Sequence, residues 1–87
     1  MKTNISVKIA DILTKEFSYA DFASSTLKRE IKIFEKKYSM NSRDFLDKFE
    51  KGMLGDDRVW FTWYGLAISA KDWDDTKKEI AKTIGTS

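Results

Sequence analysis

The 87-residue chain contains neither cysteine nor histidine, which removes disulfides, thiolate and imidazole metal ligands, thiol nucleophiles and the usual near-neutral general base. Asp, Glu, Lys, Ser, Thr and Tyr remain for chemistry, and no spacing among them brings a nucleophile to a base. The densest acidic cluster is Asp72, Asp74 and Asp75; on a helix these spread over about 160° and cannot converge on one ion. Asp56-Asp57 reads as a pair of helix-start caps, and Gly52-Met53-Leu54-Gly55 is too short and too apolar to cradle a phosphate. The expectation is a protein that is not an enzyme and holds no metal or cofactor.

Two sets of residues have the types needed for binding. The first is basic: Lys28, Arg29, Lys32 and Lys36 fall within an arc of about 100° on a helix and could meet phosphates or an acidic partner. Nothing aromatic interleaves them, Glu30 and Glu35 lie near the edges, and a solvated helix face is the plainer reading. The second set is the aromatic stretch from Val59 to Trp73, which contains three tryptophans, a phenylalanine and a tyrosine. Trp and Tyr dominate interface hot spots. They are equally at home in a core, and a chain this small with 12 aromatic residues must place them somewhere.

With 16 basic and 14 acidic residues the net charge is +2, far from the balance of a dedicated nucleic-acid binder. A single domain over residues 1–87 is expected, burying roughly 60 to 65% of the surface its unfolded chain exposes. The segment Ile5 to Leu13, interrupted by Lys8 and Asp11, reads as neither a secretory leader nor a membrane span, so a cytoplasmic protein with no membrane partner is expected.

The elements that would position these residues read as helices, since proline is absent and Lys, Glu, Ala, Leu and Ile are plentiful. Ala20, Ser24, Leu27, Ile31, Phe34 and Tyr38 recur at alternating spacings of four and three, which is one helical face. Asn41 is an N-cap with Asp44 three residues on, and Met40 with Phe45 forms a hydrophobic staple. A short helix over about Ser42 to Lys51 follows and stops at Gly52. After Gly55, a long helix runs from Val59 to about Lys82. Upstream, Ile5, Val7 and Ile9 alternate as a strand would, whereas Ile5, Ile9, Ile12 and Leu13 fit a helix begun by a Thr3-Asn4 cap, which is the preferred reading.

On the long helix, Val59, Trp63, Leu66, Ala70 and Trp73 form one stripe, Trp60, Tyr64 and Ala67 lie about 100° round, and Phe61 and Ile68 about 180° to 200° round. A thin bundle covers one such face, or one and a half. The first stripe is therefore expected to face inward. Trp60, Phe61, Tyr64 and Ile68 are expected to grip a partner or a second copy of the chain.

From Leu27 to about Trp63 the chain resembles small antitoxin-like proteins of prokaryotic type II toxin-antitoxin loci. The resemblance lies in Phe34-Glu35-Lys36-Lys37-Tyr38, Met40, Phe45, Phe49, Gly52, Leu54-Gly55-Asp56-Asp57 and Trp63. Two positions depart from the pattern: Ser39 stands where Gly is usual, and Met53 where a charged residue is usual. The resemblance implies a cytoplasmic, non-enzymatic protein that binds and neutralises a cognate toxin encoded by a neighbouring gene.

The expectation is thus an all-α fold, a small bundle of three to four helices with a long C-terminal helix, its N-terminal segment helical or a strand. Its function would be protein binding, with a homodimer compatible with the long helix. The alternative is a small nucleic-acid-binding regulator using Lys28, Arg29, Lys32 and Lys36.

Overall fold

The computed structural model describes residues 6–85, and these form three helices: α1 (Val7–Tyr38), α2 (Ser42–Glu50) and α3 (Arg58–Gly85). The fold is all-α, with a long C-terminal helix. The two helices anticipated before Tyr38 are one continuous helix of 32 residues. Nothing between Val7 and Tyr38 is Gly or Pro, so no residue supplies a stop. Val7 and Ile9 are helical, and no strand occurs among the described residues. The Thr3-Asn4 cap and Ile5 lie outside the described residues; Ser6 serves as the N-cap, its hydroxyl accepting from the Ile9 amide at 3.1 Å.

α1 ends at Ser39, which adopts the left-handed conformation (φ 51°, ψ 47°) while the Met40 amide reaches back to the Glu35 carbonyl at 3.1 Å. Asn41 then caps α2, its side-chain oxygen accepting from the Asp44 amide at 2.8 Å. A further free amide of the first turn is satisfied from outside the helix, because the Glu35 carboxylate at the end of α1 accepts from the Ser42 amide at 2.8 Å. α2 closes with Gly52 at φ 70°, where the Met53 amide donates to the Lys48 carbonyl and the Gly52 amide to that of Phe49. This paired return is a Schellman motif, and glycine adopts it without steric cost. At the start of α3 neither Asp56 nor Asp57 caps through its carboxylate; the Asp57 main-chain carbonyl accepts from the Trp60 amide at 3.1 Å.

α1 and α3 run antiparallel as a hairpin, with α2 folded into the connection. The molecule measures 51 × 22 × 18 Å and its radius of gyration is 16.9 Å. A compact chain of this length would have a radius near 12 Å. The elongation follows from α1 itself, whose 32 residues extend about 48 Å. Two helices cannot enclose a core, so the core gathers where α2 adds a third wall. There Ile31, Phe45, Trp63 and Ala70 are buried, with Leu27, Phe34, Tyr38, Leu46 and Phe49 packed around them. At the opposite, two-helix end, Val7, Ile9 and Ile12 stay exposed, and an open groove of about 310 Å³ is lined by Thr14, Phe17, Ala81, Ile84 and Gly85.

Candidate partner-binding surface

Trp63 anchors the aromatic end. It is fully buried, stacks face to face on Phe45 with centroids 4.0 Å apart and planes 2° apart, and lies near Phe34 and Tyr38 at 5.8 and 6.1 Å. Its indole Nε1 donates to the Ser42 hydroxyl at 3.1 Å, so the one polar group of the ring is satisfied at the first residue of α2. Ala67 and Ala70, both buried, allow close approach below it. The inward stripe therefore differs from the sequence expectation. Trp63 and Ala70 face inward as anticipated, Ala67 joins them from the flank, and Val59, Leu66 and Trp73 are only half-buried.

The four residues expected to grip a partner are divided by α2. Trp60 tilts against Tyr38 at 4.9 Å and Phe45 at 6.1 Å and is half-buried. Tyr64 stacks on Phe49 at 4.5 Å, also half-buried. Phe61 touches only the rim, edge-on to Phe49 at 5.3 Å, and remains 55% exposed. Ile68, about two turns beyond Phe61, is half-buried. Phe61 thus stands clear with a single ring contact, to Phe49, which is itself stacked on Tyr64. Counting helical faces underestimated α2: a nine-residue helix carrying Phe45, Leu46 and Phe49 covers part of the second face of α3, with Tyr38 of α1 closing on Trp60.

The four basic residues are divided as well. Lys28 is paired with Asp74 at 2.8 Å across the helix seam, and Arg29 donates to the Thr26 hydroxyl at 3.4 Å. Lys32 and Lys36 are exposed, and among the described residues neither enters an ion pair. Lys28 and Lys32 border a groove of about 370 Å³ between the three helices, floored by Ile31, Leu46, Ala67 and Ala70; Arg29 and Lys36 lie off it.

Sequence reasoning missed the polar seam between α1 and α3. Buried Ser24 donates to Oδ1 of Asp74 at 2.6 Å while Lys28 approaches the other oxygen, and one turn away Lys77 meets Asp21 at 2.8 Å. The Lys28 ammonium and then the Ser24 hydroxyl hold the Asp74 carboxyl below its ordinary pKa, and Asp21 holds the Lys77 ammonium above its own. The signal was a serine inside an otherwise apolar stripe. Asp75 makes a local i,i+4 pair with Lys71 at 3.4 Å instead. Among the described residues no group of three or more acidic side chains could hold a metal ion, and no helix is long and apolar enough to cross a membrane.

In comparisons with known proteins, no family model, no curated protein and no solved structure matched the chain.

Proposed function

We propose that the chain is a non-enzymatic protein-binding module of the antitoxin-like kind, which holds a cognate toxin from a neighbouring gene through the surface around Phe61, with Trp60, Tyr64 and Ile68 as its base and border. The observation that carries this reading is the exposure of Phe61 edge-on to Phe49, a ring itself fixed by stacking on Tyr64. A large apolar side chain that is both exposed and braced loses little further freedom on binding, which is the profile of a hot spot. The nucleic-acid alternative has less support. Lys28, one of its four cations, is neutralised by Asp74 within the fold.

The test is co-expression with the product of the adjacent gene. A stable complex, relief of growth arrest and loss of both with Phe61→Ala support the reading. Absence of any complex with a neighbouring product removes the toxin partner, and a complex indifferent to Phe61→Ala removes the surface.

A further inference from the structure

The outward side of α1 carries a second pattern, independent of the Phe61 surface and of the identity of its partner. Lys8, Lys15, Phe22, Arg29 and Lys36 recur every seven residues, so they form one row along the helix with steps of about 10 Å and a drift of about 20° per step. All five are exposed. Beside this row runs another with the same repeat, Ile12, Tyr19, Thr26 and Ile33. Phe22 and Ile33 are each 66% exposed, and Tyr19 is held from behind by an edge-on contact with Trp73 at 5.4 Å. A solvated helix face has no need of four large apolar side chains in heptad register over about 32 Å.

We infer that this face of α1 docks an acidic amphipathic helix of a partner protein, one that sets apolar side chains between the two rows and carboxylates against Lys8, Arg29 and Lys36, Lys15 being already paired with Asp11 of its own helix at 3.2 Å. The repeat fits a helix, because a second helix packed along α1 meets it with the same seven-residue period. Charge then selects the occupant. In an antiparallel pair of copies centred on Phe22, Lys8 would face Lys36 and Lys15 would face Arg29; in a parallel pair each cation would face itself. Self-pairing in heptad register therefore sets cation against cation, whereas an acidic helix neutralises the row. An anionic membrane fits less well, since Glu16 and Glu30 border the apolar row on its other side and would be pressed against the headgroups. A nucleic acid would leave Ile12 and Ile33 with nothing apolar to meet.

The experiment titrates the full chain with a synthetic four-heptad helical peptide bearing Leu in its apolar row and Glu in the row facing the cations, against the same peptide with Lys for Glu. Saturable one-to-one binding of the Glu peptide only is expected, weakened about tenfold or more by Phe22→Ala and by Lys8→Glu with Arg29→Glu. The doubly reversed chain should accept the Lys peptide. Because these side chains are exposed, the variants should melt as the parent does, which separates lost binding from lost folding. Failure of the Glu peptide to bind, or equal binding to parent and variants, overturns the inference. Binding of phosphatidylglycerol vesicles, of an oligonucleotide or of a second copy through the same residues, with the Glu peptide ignored, overturns it equally.

Discussion

Ser24 and Asp74 meet across the seam of the α1–α3 hairpin, the buried hydroxyl donating to the carboxylate at 2.6 Å while Lys28 occupies the other oxygen at 2.8 Å. The serine is almost inaccessible to water, and the carboxylate is the acceptor its hydroxyl uses. Replacing Asp74 by Ala strands a buried hydroxyl as well as removing an ion pair. Such stranding costs about 1 to 3 kcal/mol, and chemical denaturation should show a loss of that size. Ser24→Ala together with Asp74→Ala should cost less than the two single losses summed, because neither polar group is then left alone.

The same pair gives the protein an acid limb. Asp74 has a folded pKa below its unfolded value, so its contribution to stability is fully present above the ordinary carboxylate pKa of about 4. It disappears as pH falls through the lower folded value. Lys77 behaves in the opposite sense: its raised folded pKa keeps its contribution intact below about 10.4 and removes it as pH climbs through the folded value. Thermal melts from pH 7 downward should therefore fall more steeply for the parent chain than for Asp74→Asn, and a parallel acid limb in the two would contradict the assignment.

Phe45 and Trp63 form the centre of the aromatic end, and Phe45 is the buried contact α2 makes there. Phe45→Ala should cost at least about 3 kcal/mol by cavity formation alone. In a chain with so small a core that loss should be seen as release of α2, read as hydrogen exchange in residues 42–50 ahead of α1 and α3. Trp63→Phe retains ring packing but loses the bond to Ser42 and should be milder, about 1 to 2 kcal/mol.

Ser39 occupies the left-handed region that a glycine adopts freely. Ser39→Gly should raise stability by about 1 kcal/mol, measured as a higher denaturation midpoint with an unchanged slope.

Phe61 should separate binding from folding. With more than half its surface in water, its replacement by Ala should shift stability by no more than about 1 kcal/mol while weakening a partner held at that surface by about tenfold or more. Ala at Trp60, which packs on Tyr38 and Phe45, should lower stability as well. Calorimetry on both variants, alone and with partner, distinguishes the two residues.

Much of the architecture was legible because it depends on short-range rules. The α2 boundaries, the Asn41 cap, the Gly52 stop and the helical period of Ala20 to Tyr38 each follow from backbone chemistry within a few residues, and the chain folds accordingly. The continuity of α1 was legible too, in the absence of any breaker, although the ambiguous alternation of Ile5, Val7 and Ile9 concealed it.

What the tertiary structure decided was which apolar residues are spent on the fold. Helical projection places Trp60, Phe61 and Tyr64 on faces of α3, but the projection of one helix does not say where a neighbouring helix will lie. α2 leaves α1 at an angle set by Ser39 and the Glu35–Ser42 bond, and that angle covers Trp60 and Tyr64 while leaving Phe61 in water. The same holds for charge: Lys28 looked like its neighbours until Asp74, remote in the chain, was brought within 2.8 Å of it. Local sequence determined the helices and their ends. Only packing between residues far apart in the chain determined which surfaces remained to meet a partner.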